Sequence, residues 1–505
     1  MRSSFLLPKL TFWVLLFVLL WLGQVPRYID SPPISRHSWR QSDSAAQFFN
    51  FYKYGTPLWE PQTMTLKALD GHAASELPIT YWLAAQPARW FGFSEAWLRG
   101  FHLLIFMGGL WCFYLLCRRL LQDDWLALGP PLLYAASPII LFYSYTSLPV
   151  GPGVALMLVA WYLFWRFIQS GGAGWLLLTT LVAALATLIR PSEGIHFVAM
   201  IGTLFFTHLF YRKSYPLPFS SGRAVLYGSC LLFFGLCVYT WVNYVEAYSQ
   251  QYHYFANLQG ILPYWNENAE RVAWIDRMLT AYFFKEVMGR PLWWVIIIMA
   301  GTLLFNPRTY RDPFGIATIL LLIGGVAYYF LFYGAFDLHD YYLIPMFLPM
   351  AFVTIAWMRA YLDLIPSPLR KWIAYSGIAA LIIYGFVYAA GSLAKRFPEI
   401  HTGPQSAQLF GIDEALTAMG VPADAKIISI PDFTPNISLY LTKRQGETDF
   451  MNGTLGDLAP YAEWADYVVI NRPEIIAERP GVQDDLGRLV GTYQGTEVYE
   501  IRKPE

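Results

Sequence analysis

Phe314–Tyr333 reads FGIATILLLIGGVAYYFLFY, twenty consecutive residues without an Asp, Glu, Lys or Arg. An α-helix needs about 20 apolar residues to cross the hydrocarbon core of a bilayer. A helix on a water-soluble domain would instead carry a polar face. Outward from this stretch, comparable runs recur at 10–25, 98–119, 126–147, 152–169, 174–190, 194–211, 224–245, 291–306, 341–361 and 371–391, eleven with the first. Pro149, Gly151, Pro152 and Gly153 crowd the link between 126–147 and 152–169, which therefore reads either as two spans or as one re-entrant pair. Composition agrees, with 56% hydrophobic and 14% charged residues in a chain of 505. The expected fold class is a polytopic α-helical membrane protein of about eleven transmembrane helices.

Formal charge is zero, which points to no nucleic-acid partner. Cys112, Cys117, Cys230 and Cys237 all fall inside apolar runs, where they act as small hydrophobes and form no disulfide or metal-clip pattern. Met1–Leu22 has a basic start and an apolar run, but no small-residue cleavage site precedes Pro26, so it reads as a retained helix.

With the N-terminus in the cytoplasm, the short inner segments carry Arg2, Lys9, Arg118, Arg119, Arg212, Lys213, Arg223, Arg308, Arg311, Arg370 and Lys371, while the short outer links carry Arg190. That asymmetry follows the positive-inside rule. It puts 26–97, 246–290, 334–340 and everything after 392 outside. Asp43, Glu76, Arg190, Glu193, Glu246, Asp337, His339 and Asp340 then collect on one face. A transporter would carry charge mid-span or two halves related by an inverted repeat, and neither is detected.

The loop 26–97 is too aromatic for a linker. Ser42–Tyr54 places Ala45, Phe48, Phe49 and Tyr52 on one helical face, and Leu77–Trp90 has a similar stripe, so two interfacial helices roofing the bundle are expected. Each opens with a carboxylate: His37-Ser38-Trp39-Arg40-Gln41-Ser42-Asp43 before the first, Ser75-Glu76-Leu77-Pro78 before the second. By position alone Asp43 and Glu76 read as helix caps. After Lys395 a soluble α/β domain is expected, with a helix from Ser406 to Met419, strands at 426–430 and 467–470 and a hairpin from Val490 to Ile501. The chain divides into a membrane domain, 1–391, and an outer domain, 392–505. Asn436-Ile437-Ser438 and Asn452-Gly453-Thr454 are weak glycosylation sequons.

Glu76-Leu77-Pro78-Ile79-Thr80-Tyr81-Trp82 follows the acidic Asp43. Ala136-Ser137-Pro138 leads into Leu141-Phe142-Tyr143-Ser144. His339-Asp340-Tyr341-Tyr342 opens a late helix, and Ser438-Leu439-Tyr440-Leu441-Thr442-Lys443-Arg444-Gln445-Gly446 lies in the tail. In this order the chain resembles GT-C glycosyltransferases of the protein-mannosyltransferase and aminoarabinose-transferase type. The resemblance implies a sugar donor linked to a polyprenyl phosphate such as undecaprenyl phosphate and a lipid, glycan or protein acceptor; the lack of eukaryotic retention signals and the character of the tail favour a bacterial inner membrane, and the charge asymmetry puts the site on its periplasmic face. The resemblance makes Asp43 the general base that takes the acceptor proton, with Glu76 as the second catalytic candidate, to orient the acceptor or help hold a divalent metal. His339, Tyr342, Arg190 and Arg40 are the candidates for the donor phosphate, and Tyr81 and Trp82 for the acceptor or sugar. No cofactor is implied with certainty; a divalent metal is possible, with ligands unassigned. In one departure, Tyr145-Thr146-Ser147-Leu148-Pro149-Val150-Gly151 lacks the second acid that many relatives carry there. A transporter of lipid or glycolipid and an inactive lipid-binding partner stand as alternatives.

Overall fold

The computed structural model describes residues 3–66, 69–211, 221–253, 260–337, 339–362, 367–398, 407–450 and 455–503. The apolar runs fall largely on helices, without making eleven separate spans among the described residues. Among the described residues, seven helices are long and apolar enough to cross a membrane: Glu95–Leu121, Val150–Ser170, Pro191–Phe210, Gly222–Gln251, Pro313–Leu331, Asp340–Tyr361 and Trp372–Arg396. Ala269–Val287 and Arg290–Leu304, bent by 91°, make an eighth if the pair counts as one span. Leu6–Leu22 and Ala173–Ile189 are shorter apolar helices. The run 126–147 is not one helix: it breaks between Gly129–Ala135 and Pro138–Tyr143, where Pro138 removes a backbone donor. Arg212, Lys213 and the second sequon, 452–454, lie outside the described residues.

The chain forms two compact units. One comprises residues 1–29, 102–242 and 259–395; the other comprises 30–101, 243–258 and 396–505. This grouping cuts across a linear division at 391/392, because the first long loop folds with the tail.

In the helical unit, Val150–Ser170 and Ala173–Ile189 pack as a hairpin, and Pro313–Leu331 lies between Gly194–Tyr211 and Phe347–Tyr361. Aromatic rings fill its centre: Phe352 lies 4.8 Å from Phe314 and 4.9 Å from Trp161, centroid to centroid. A Cβ on Gly109 would fall 2.6 Å from the Ala155 backbone, so these helices approach as closely as a small residue permits. Leu104, Leu178, Val225, Ile298, Ile323 and Val387 leave apolar faces exposed, as a lipid-facing surface requires.

In the second unit, β1 (Ile427–Ile430), β2 (Gly446–Thr448), β3 (Tyr467–Ile470), β4 (Leu486–Tyr493) and β5 (Thr496–Ile501) form a sheet of order β2-β1-β3-β5-β4. β2, β1 and β3 are parallel; β4 and β5 form the expected hairpin, turned by Gln494 and Gly495, both at positive φ. The short β2 carries no apolar alternation and was not expected. The tail helix is Ile412–Ala418, starting after Gly411 at φ 81.

The two loop helices are Ser38–Tyr54 and Ile79–Phe91. The apolar stripe of the first does not lie free, whereas the second leaves Leu83, Trp90 and Phe91 exposed. Ala45, Ala46 and Phe49 are buried with Leu416, Ile427, Leu439 and Val498 of the sheet domain, while Phe48 and Phe51 pack on Ala84, Ala85 and Ala88 of the second helix. Chain from the same unit covers the stripe of the first helix, so its hydrophobic gain is made within the protein.

The loop also extends the sheet: Gly446 N donates to Met64 O, and Leu66 N to Gly446 O. A Cβ on Gly446 would overlap the Ile427 carbonyl oxygen in the neighbouring strand. Gly446→Ala is therefore expected to cost about 3 kcal/mol, because backbone and not a flexible side chain must move. Urea unfolding followed by protease resistance of the 407–503 region would read that loss.

Candidate active site

Two groups of polar side chains stand out, one in each unit. In the unit holding the sheet, the Ser38–Tyr54 helix begins after His37, whose φ of 56° sets the entry turn. The helix therefore starts before Ser42, and Asp43 lies inside it. Asp43 does not cap it. Glu76 caps nothing either: Pro78 precedes the Ile79–Phe91 helix, and no side chain caps that end.

Instead Glu76 is held from three sides. Arg40 Nη2 donates to both carboxylate oxygens at 2.6 Å, Tyr81 OH donates to Oε1 at 2.7 Å and Ser75 Oγ to Oε2 at 2.8 Å. Burial works against the charge, yet Arg40, Tyr81 and Ser75 hold the Glu76 carboxyl below its ordinary range. Arg40 is thus engaged with a carboxylate, and Tyr81 is fully buried with its hydroxyl on Glu76, so its ring is no platform for a sugar. Trp82 is half-buried and packs against the apolar cluster around Phe48 and Ala85.

Asp43 behaves oppositely. Burial raises its carboxyl to about 6, assisted by Glu76 and Asp432 and opposed by Arg40 and by a hydrogen bond from Asn436 Nδ2 at 2.7 Å. Two neighbouring carboxylates thus have separated pKa values, one kept charged and one titrating near neutrality. Acid–base sites show such separation, as do structural ion-pair networks.

Asp432 and Asn436 escape a reading of the sequence. Both follow the C-terminal end of β1, where open parallel sheets commonly carry their functional loops. Asn436, part of a sequon in the sequence, is completely buried.

In the helical unit, Arg190 Nη2 donates to the Tyr341 carbonyl, and Arg190 Nη1 lies 3.5 Å from Glu193 Oε1. Glu193 Oε2 lies 3.5 Å from His196 Nε2. The His339 ring stands edge-on to Tyr341 and Tyr342, 5.5 and 5.9 Å away. Tyr143 OH donates to Asp340 Oδ1 at 2.6 Å, so a carboxylate reaches the Tyr143–Ser144 stretch from the 339–342 segment. Arg190, His339 and Tyr342 are brought into one group, while Asp43, Glu76, Arg40 and Tyr81 form the other. Among the described residues no three His, Cys, Asp or Glu side chains converge as a metal site would need.

The fold has solved counterparts. ArnT from Cupriavidus metallidurans aligns in its apo state over 99% of this chain and 98% of its own, with TM-score 0.63 and 12% identity. The same protein bound to undecaprenyl phosphate aligns with TM-score 0.62 and 13% identity over 99% and 98%. A mutant form of the arabinofuranosyltransferase AftD from Mycobacteria gives TM-score 0.52 at 12% identity, over 98% of this chain and 42% of that one. No curated protein matches by sequence. The family described as dolichyl-phosphate-mannose-protein mannosyltransferase matches residues 72–227. The chain shares the fold of these membrane glycosyltransferases, and the family match covers 72–227 of its 505 residues. The family match takes in Glu76, Tyr81, Trp82 and Arg190, whereas Arg40, Asp43, His339, Tyr342 and Asn436 lie outside it.

Proposed function

We propose that the chain transfers a sugar from a polyprenyl-phosphate donor to a lipid, glycan or protein acceptor, with Asp43 as general base. The setting proposed is the outer face of a bacterial plasma membrane, with the N-terminus cytoplasmic and residues 392–505 outside. The observation that carries this reading is the buried Asp43 carboxyl, hydrogen-bonded by Asn436 and set beside a Glu76 that is locked by Arg40, Tyr81 and Ser75, with burial raising Asp43 above its ordinary range. A hydroxyl is a poor nucleophile at neutral pH, and a base of matched pKa is most effective there. Support for the donor comes from the family description, which names a lipid-phosphate sugar, and from the shared fold of ArnT, whose structure holds undecaprenyl phosphate.

Arg190, His339 and Tyr342 are assigned to the donor phosphate, whose charge grows as the glycosidic bond breaks and needs fixed donors. Mass spectrometry of lipids that co-purify with the gently solubilised protein tests the donor. A polyprenyl phosphate or its sugar conjugate is expected; bulk phospholipid alone, even after feeding polyprenyl phosphates, would overturn it. His339→Ala is expected to weaken donor binding about tenfold, the equivalent of ~1.4 kcal/mol. Titration with polyprenyl phosphate checks this.

A further inference from the structure

The Asp43 carboxylate takes its hydrogen bond from a residue nearly four hundred positions away in sequence, and the local geometry leaves that donor one orientation. Asn436 Oδ1 accepts from both Met64 N and Thr65 N, at 3.0 Å each. Those backbone groups can only donate, so the amide oxygen must face them and the NH2 must face Asp43. Met64 and Thr65 are held in turn by the sheet edge, through the bond from Gly446 N to Met64 O and the parallel bridge between Thr65 and Gly446. Asn50, on the helix that carries Asp43, ties down the same loop by donating to Thr63 O at 2.8 Å. Asn436 is fully buried, so water does not compete for these bonds.

The bond lands on Oδ1. Asp43 Oδ2 takes no hydrogen bond from the described residues. A carboxylate with one oxygen occupied by a fixed N–H and the other open has a defined oxygen on which to receive a proton.

We propose that Asn436 is a positioning residue of the transfer reaction: anchored by the Met64 and Thr65 N–H groups, it aims the Asp43 carboxylate and reserves Oδ2 for the acceptor hydroxyl. The α/β domain thereby serves to set the base and is more than a cover over it. In the transfer, the acceptor O–H proton passes to Asp43 Oδ2 as the acceptor oxygen bonds to the sugar carbon, and the polyprenyl phosphate leaves with the electron pair of the broken bond. The proposal rests on Asp43 being the base. The charged groups acting on Asp43 are Arg40 on its own helix, Glu76 on the loop before the second helix and Asp432 on the loop after β1.

Asn436→Ala and Asn436→Asp test this in the full-length protein, with transfer from a polyprenyl-phosphate sugar measured between pH 5 and 9. Loss of the N–H withdraws a donor from the anion, so the acidic limb of the profile moves upward by about one pH unit in Asn436→Ala. Asn436→Asp keeps the acceptor for Met64 and Thr65 but sets a second charge on Asp43, and moves the limb further. In both, kcat falls at least tenfold while the donor KM stays within twofold. Should Asn436→Ala destabilise the fold, Asn436→Asp with its backbone bonds intact still gives the reading. A parental pH profile in both variants overturns the proposal. Asp43→Asn run in parallel separates the two failures: if that variant turns over normally, the assignment of the base falls; if it is inactive while the Asn436 variants behave as parent, only the role of Asn436 falls.

Discussion

Asp43→Asn is expected to abolish transfer while making the protein harder to unfold at pH 8. The two effects share one cause. Burial lifts the Asp43 carboxyl from 3.8 to about 6, so the folded state disfavours the anion that the proposed base must present. For an acid whose folded pKa is raised, stability is lost as pH rises through the window between the two values, here from about pH 4 to pH 6. Above that window the buried charge costs about 3 kcal/mol, because each tenfold weakening of the acid is worth ~1.4 kcal/mol. Asparagine is neutral, nearly isosteric and still able to accept from Asn436, so the variant recovers much of that cost. Removal of a general base typically lowers turnover by about 10²–10⁴-fold. Parental activity should itself fall below pH 6 as Asp43 protonates. Denaturant midpoints at pH 5 and pH 8, beside a transfer assay, check the whole set: the stability gain should appear at pH 8 and shrink at pH 5. A variant that is less stable and fully active would show Asp43 to be a structural residue.

The membrane class is legible because crossing a bilayer imposes a length and a composition that no local alternative satisfies. Phe314–Tyr333 announces itself, and the structure has a helix at Pro313–Leu331. The strands at 427–430 and 467–470 are equally visible, as short β-branched runs between turn residues. What the sequence conceals depends on partners far away along the chain. The stripe of Ala45 and Phe49 is amphipathic whether it meets lipid or a sheet, and only the tertiary fold brings Ile427 and Val498 against it. The same holds at the site. Asp43 and Glu76 can be picked as carboxylates of interest, but their contrast arises from Arg40 reaching Glu76 and Asn436 reaching Asp43. Asn436 itself has only a sequon to recommend it. Tyr81 misleads because an aromatic residue beside an acid looks like a sugar platform until its burial is known.

The second large effect is expected from Arg40→Ala. Arg40 is the cation bound to the buried Glu76 carboxylate, and its side chain is only 22% exposed. Removing one partner of a buried pair leaves a charge without compensation, at about 3 kcal/mol. The loss should depend on pH in the sense opposite to that at Asp43. Glu76 is held below its ordinary range, so its contribution is present above the unfolded value and disappears as pH falls through the folded one. The destabilisation by Arg40→Ala should therefore be full at pH 7 and fade as pH falls below the unfolded value of 4.5. Arg40 also lowers the Asp43 carboxyl, so the acidic limb of activity should move upward in the same variant. Adding Glu76→Gln removes the stranded charge, and the double variant should recover more than half of the lost stability, which a double-mutant cycle measures directly. If the two substitutions instead add, Arg40 acts on something other than Glu76, and the separation of the two carboxyls would need another cause.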